Sequence, residues 1–360
     1  MREVAILGFA EVAYPRSEDD EVEMISGVVA RALAASGVTR KQIGFTVSGS
    51  CDYLGGRPFS FVTALDAIGA WPPISESHVE MDGAWALYEA WVRLQHGDID
   101  AALVYAFGRT SQGDLPTVLA TQLDPYYMAP LWPDAVSVAA LQARAMIDAG
   151  LCSEREMAEV ARARRRAASS HLAAPSMRSS AARPSAEGDI GIDELLAAPY
   201  VAAPLRSHDC APNTDGAAAM VLATSDLARR VCKRPAFIRG IDHRIETHAL
   251  GARDLTRSTS TEVAAKKAGA LGRPFDVAEI HAPYSHQDIL IARALGLGGN
   301  VAVNPSGGAF GANAYIVTGL SRIGAAASRI LDGTAETAVA HATSGPCLQQ
   351  NLVCVLGGEQ

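Results

Sequence analysis

The residues able to move protons or form covalent bonds are few and dispersed along the chain. Six cysteines, at positions 51, 152, 210, 232, 347 and 354, include no CxxC pair. That scatter argues against a zinc site or a disulfide framework and fits a reducing compartment. His208-Asp209-Cys210 sets a base, a carboxylate and a thiol in succession, the residue types of an activated nucleophile. Glu80 stands just ahead of the helix opening Gly83-Ala84-Trp85. A carboxylate there can complement the helix dipole or act as acid or base. His281 ends the strand-like run Val277-Ala278-Glu279-Ile280, with Tyr284 and His286 close behind, and Asn313 and Tyr315 fall at a second helix opening.

The elements that must position these groups alternate between strand and helix signals, which predicts an α/β layered architecture. Helices are predicted over residues 21–36, ending at Gly37, over 84–95, ending at Gly97, and as a pair over 137–150 and 154–170. Strands are predicted at 4–8, 45–47 and 101–105. The second half repeats the scheme, with strands at 236–238, 277–281, 335–342 and 352–356 and helices over 261–272, 285–297 and 314–331. Residues 171–200, rich in Ala, Ser, Pro and Arg, read as an exposed excursion. The opening at Gly83 leads through Gly97 to the strand at 101. The opening Gly311-Ala312-Asn313 leads through Gly333 to the strand at 337 in the same way. Two such halves suggest a duplication whose helix N-termini face a common centre, where free N–H groups and dipoles favour a developing oxyanion.

Composition narrows the partners. The chain has 360 residues, with 49% hydrophobic and 19% charged, and a formal net charge of -8. Its one basic block, Arg162 to Arg166, sits in a helical pattern and reads as a solvated face, with the phosphates of coenzyme A as the competing use. Nucleic acid is not expected, since no wide cationic surface is available to neutralise phosphates. No apolar run reaches the roughly 18 residues of a membrane span. No charged and apolar leader precedes Val4, so a cytoplasmic location is expected.

Several collinear stretches resemble the thiolase superfamily, in the branch related to sterol carrier protein-type thiolases. They are Pro204-Leu205-Arg206 with His208-Asp209-Cys210 and Thr214-Asp215-Gly216-Ala217-Ala218-Ala219, then Glu279-Ile280-His281-Ala282-Pro283-Tyr284-Ser285, then Asn304-Pro305-Ser306-Gly307-Gly308. The helix from Ala86 to Gly97 and the strand at 101 match in order and spacing. The resemblance covers most of the chain. It implies a five-layer αβαβα thiolase fold of two similar βαβαβαββ halves, 1–230 with an excursion at about 110–200, and 231–360.

The same resemblance places the family's catalytic positions. Glu80 falls where the nucleophilic cysteine would stand, and Asn313 near a lost histidine. Pro346 takes the slot of the second cysteine, with Cys347 as a displaced survivor, while His281 keeps the oxyanion position. Ser306-Gly307-Gly308 is implied to form the tight loop beside the pantetheine, and His208-Asp209-Cys210 becomes a structural turn. Without a thiolate no acyl group can be carried, and a glutamate would give a mixed anhydride that hydrolyses. A site that stabilises a thioester enolate can still cleave a 3-hydroxyacyl thioester by retro-aldol chemistry, which needs no covalent intermediate.

This pattern is similar to the aldolases of bacterial steroid side-chain degradation, which lack the thiolase nucleophile. In them tyrosines are implicated where histidines usually stand, which here points to Tyr315, with Tyr284 as a substitute. The resemblance implies that Tyr315, Tyr284 or Glu80 takes the hydroxyl proton, and that His281 with backbone N–H groups at 80–83 holds the enolate oxygen. It implies coenzyme A as part of the substrate, with no covalently bound cofactor or metal. It also implies a homodimer, to which Trp71-Pro72-Pro73-Ile74 would contribute, and a small partner built from a zinc ribbon and an oligonucleotide/oligosaccharide-type barrel. Two other readings stay open, a non-catalytic acyl-coenzyme A-binding subunit and a thiolase using a displaced cysteine.

Overall fold

In a computed structural model, residues 1–56, 58–69, 74–172 and 190–359 are described. Trp71-Pro72-Pro73, assigned above to a dimer contact, lies outside them, as does most of the 171–200 excursion. In the large sheet, the first set of five strands is β1 (Val4–Tyr14), β2 (Phe45–Gly49), β3 (Glu76–Val79), β4 (Ala101–Arg109) and β5 (Asn213–Thr224). The second five are β6 (Ala236–Ile245), β7 (Val277–Ile280), β8 (Ala302–Val303), β9 (Thr337–Ser344) and β10 (Gln350–Gly357). Each set has the same order, β3-β2-β4-β5-β1 and β8-β7-β9-β10-β6. Each also has the same directions: the two outer pairings are parallel and the two inner ones antiparallel. The expected repetition is therefore present strand for strand. The sets meet where β1 pairs with β6, through only Ala5↔Phe237 and Ile6↔Ala236.

Strands buried on both faces read as continuous apolar runs rather than alternating ones, as Ala101-Ala102-Leu103-Val104-Tyr105 does. Alternate residues serve different layers. Ala102 and Val104 face the central helices, while Leu103 and Tyr105 face the outer helix α1 (Glu21–Ser36). The central layer is α2 (Gly83–Gln95) against α8 (Thr318–Leu331), between the two strand sets. The excursion contributes α3 (Leu115–Thr121), α4 (Ala135–Asp148) and α5 (Glu154–Leu172). α4 packs with α6 (Thr259–Lys267) and α7 (Ser285–Ala294) on the far face of the second set. The result is the five-layer αβαβα arrangement.

Two expectations need correction. The second central helix begins at Thr318, not near 311–314. Asn313-Ala314 is instead a two-residue strand paired with β5, and Ile316 stands at φ 75°. A β-branched residue in that region cannot continue a right-handed helix. The basic block is also only partly a solvated face. Arg164 makes a two-pronged ion pair with the buried Asp288, at 2.9 and 2.8 Å. Arg165 is buried and donates to the carbonyls of His208 and Cys210 at 2.6 and 3.2 Å. Both guanidinium groups tie α5 to the core.

Candidate active site

At the head of the two central helices lies an open cavity of about 150 Å³. Its walls come from both strand sets and from the excursion. His281, Tyr284 and Gln287 arrive from the strand-to-helix turn after β7, Asn313, Tyr315 and Ile316 from the approach to α8, and Thr343 to Leu348 from the β9–β10 turn. Leu115, Leu119, Leu123, Val138 and Ala139 of the excursion make the opposite wall apolar. His281, Asn313, Tyr315 and Tyr284, expected from sequence, are thus brought together.

His281 Nε2 lies 3.4 Å from Asn313 Oδ1. An amide oxygen only accepts, so Nε2 carries the ring proton and Nδ1 presents its lone pair, with no partner among the described residues. Burial first, then the fields of His341 and Arg322, lower the pKa of this imidazole to about 3. It is neutral. Tyr315 receives a hydrogen bond on its phenol oxygen from Gln122 Nε2, which leaves its own O–H free to donate. Burial pushes this phenol, and that of Tyr284, above the ordinary tyrosine value, so both stay protonated at neutral pH.

Two sequence assignments fall elsewhere, and a third motif is the structural turn the resemblance implied. Glu80 does not wall the cavity; its Oε1 accepts from the backbone N–H of Asp52 at 2.6 Å, beside Cys51. Ser306, Gly307 and Gly308 do not wall it either. The Ser306 hydroxyl donates to Glu279 Oε2 at 2.6 Å and meets Arg322. Gly307 stands at φ 93°, where an added Cβ would collide with Ala168 of α5. The glycines serve close helix packing, with the buried pair Glu279–Arg322 at 3.0 Å beneath them. His208-Asp209 forms a 3₁₀ turn, with Asp209 accepting from Ser285 Oγ at 2.6 Å.

The thiols offer little. Cys347 walls the cavity on a left-handed turn, φ 51°, but it is buried, its Sγ donates to the carbonyl of Val138 at 3.4 Å, and burial pushes its pKa up to about 12. Cys51 is likewise pushed up to about 12. Reactive cysteines need the opposite environment.

Asp82 was not anticipated, although an Asp just before a helical run is the commonest N-cap signal. Among the described residues it is the single carboxyl-bearing side chain on the cavity wall. Its Oδ1 accepts from Ala84 N at 2.8 Å and Leu320 N at 3.0 Å, and its Oδ2 from Gly319 N at 2.8 Å. One carboxylate thus sits in both helix N-termini, while Gly83 N donates to Ile316 O at 2.8 Å. The amide groups expected to cradle a ligand's oxyanion at 80–83 are in part already used within the chain. Burial, against those three donors and Arg322, pushes the Asp82 pKa up to about 7.

The chain matches no family model. It is 31% identical over 141 residues to an acetyl-CoA acetyltransferase of Methanothermobacter thermautotrophicus, a match covering 33% of this chain and 37% of that protein. To the acetyl-CoA acetyltransferase of Methanocaldococcus jannaschii it is 24% identical over 360 residues, 90% of this chain and 88% of that one. Among solved structures it resembles human mitochondrial 3-ketoacyl-CoA thiolase in complex with CoA, with TM-score 0.79 and 14% identity, covering 100% of this chain and 98% of that one. It also resembles an Ltp2–ChsH2(DUF35) aldolase, with TM-score 0.77 and 19% identity, covering 99% of this chain and 98% of that one. The fold is that of the thiolase superfamily. These relatives in sequence are acetyl-CoA acetyltransferases, and its structural neighbours include both a 3-ketoacyl-CoA thiolase and an aldolase.

Proposed function

We propose that the protein is a carbon–carbon lyase that cleaves a 3-hydroxyacyl-coenzyme A thioester by a retro-aldol reaction. The products are a ketone and a short acyl-coenzyme A such as propionyl- or acetyl-coenzyme A. One observation carries this reading: the only thiol on the cavity wall among the described residues, Cys347, is buried and held protonated, while proton donors for an enolate remain. Those donors are the Tyr315 hydroxyl and the Asn313 amide, with His281 fixing the amide. Retro-aldol cleavage uses such donors and needs no acyl-enzyme. The likeness to an aldolase in fold is consistent with this.

The acyl group in this reading is bulky, a steroid side chain being the proposed class. A cavity of about 150 Å³ takes roughly a benzene-sized group. The reacting carbons fit within it and the remainder extends through the mouth. A homodimer and a small zinc-ribbon and barrel partner belong to the same proposal.

Incubation with a 3-hydroxyacyl-coenzyme A bearing a tertiary alcohol, with and without that partner, tests it by mass spectrometry. The expected result is equimolar ketone and short acyl-coenzyme A without added free coenzyme A. The acetyltransferase relatives favour the alternative, acyl transfer, which would appear as strict dependence on free coenzyme A and an acylated cysteine. Turnover of that kind would overturn the lyase reading. Thioester binding without turnover would favour the non-catalytic subunit.

A further inference from the structure

Retro-aldol cleavage requires a group to take the proton of the 3-hydroxyl, and the candidates raised from sequence do not suit that task. Glu80 is not on the cavity wall, and its Oε1 is taken up by the backbone N–H of Asp52. Tyr315 and Tyr284 are held as neutral phenols by burial, so they can donate but not accept strongly. Among the described residues, two titratable groups on the wall offer basic lone pairs, His281 Nδ1 and the Asp82 carboxylate. They differ in proton affinity: burial drives the imidazole down to about 3 and the carboxyl up to about 7. A general base works best when its pKa lies near the working pH. Asp82 meets that condition and His281 does not.

We infer that Asp82 is the general base of this site, the carboxylate that receives the substrate hydroxyl proton. The inference rests on the lyase reading above. Asp82 is 4% exposed, and its oxygens carry three backbone donors where about four lone-pair positions exist, so one position remains for a substrate O–H. The orphan His281 Nδ1 is itself buried, 8% exposed, and belongs to the same cavity wall. The step balances. The O–H proton passes to Asp82, the C–O bond gains its second bond, and the bond between the carbinol carbon and the α-carbon breaks. Its electron pair forms the thioester enolate, whose oxygen is held by Tyr315 O–H and Asn313 Nδ2. The enolate carbon then takes a proton back from the Asp82 carboxyl, regenerating the carboxylate.

The charge of Arg322 lowers this carboxyl against its burial, the charge of Asp82 in turn raises the Tyr315 phenol, and the neutral His281 shares the cavity wall. The test compares wild type with Asp82→Asn and Asp82→Ser, the serine keeping an N-cap oxygen. Circular dichroism and thermal melting verify folding. On a 3-hydroxyacyl-coenzyme A, wild-type kcat should fall as pH drops through about 7. Both variants should lose roughly 10²–10⁴-fold in kcat and lose that acid limb, with KM changed far less. Tyr315→Phe should lower kcat while keeping the limb. Cleavage by the serine variant at wild-type kcat and pH profile overturns Asp82 as the base and leaves the lyase intact. Absence of cleavage by wild type overturns the lyase and the base together. Should neither variant fold, a wild-type kcat that is flat from mildly acid to mildly alkaline pH overturns the assignment, and an acid limb that survives in Tyr315→Phe supports it.

Discussion

Each polar side chain at the cavity is fixed in protonation by what surrounds it. The thiol of Cys347 is the sharpest case. Its pKa of about 12 leaves so little thiolate at neutral pH that iodoacetamide should alkylate it at least about 10³-fold more slowly than a free thiol. Peptide mass spectrometry of the native protein checks this, and stoichiometric labelling within minutes would contradict it. Tyr315 acts through donation, so Tyr315→Phe is expected to cost roughly 10²-fold or more in the cleavage rate, with thioester binding retained by calorimetry. His281, Asn313, Tyr315 and Tyr284 were legible from motif position. Asp82 was not, because its meaning depends on a second helix, 237 residues away, supplying two of its three donors.

At the scale of elements, α2 and α8 approach closely because both open on small residues. A Cβ added at Gly83 would lie 2.6 Å from Ala106 Cβ and 2.9 Å from Leu320 Cδ2. Gly83→Ala is therefore expected to cost about 1–3 kcal/mol of stability by overpacking, read as a lower denaturation midpoint at unchanged slope. Beneath the site, Arg322 neutralises Glu279, whose other contacts are Ser306 N and Oγ. Arg322→Met strands a buried carboxylate and is expected to cost about 3–5 kcal/mol. A change under 1 kcal/mol would mean the pair is more hydrated than it is here. Helix and strand existence could be read from periodicity. The start of α8 could not, because the left-handed Ile316 and the pairing of Asn313-Ala314 with β5 arise from tertiary contacts.

For the whole molecule, burial sets a pH signature. His281 and His286 are lowered to about 3 and His341 to about 4, all by desolvation first. Their unfolded forms bind protons below about 6.5 and the native forms do not, so they contribute stability above that pH which is lost as pH falls towards 3–4. Asp82 and Glu11 act in the opposite sense. Burial raises both, so the stability they contribute is present at low pH and declines as pH rises, for Asp82 until about 7. Burial also lowers His243 and raises Glu80; four histidines then outweigh three carboxyls in number, so unfolding free energy should rise from pH 4 to 6.5. Asp82→Asn should steepen that rise. Urea titrations across this range check both statements, and a flat profile would contradict them.

The linear chain determined the α/β alternation, the near-repeat of its two halves and the absence of a cysteine at the head of α2, because periodicity, turn residues and residue type are local properties. Tertiary structure decided which of the marked residues meet. It brought His281, Asn313, Tyr315 and Tyr284 to one cavity, left Glu80 and the Ser306-Gly307-Gly308 loop off its wall, and set the carboxylate of Asp82 in two helix N-termini at once. Proton affinities follow from burial and from the fields of distant residues, and those exist only once the five layers have closed.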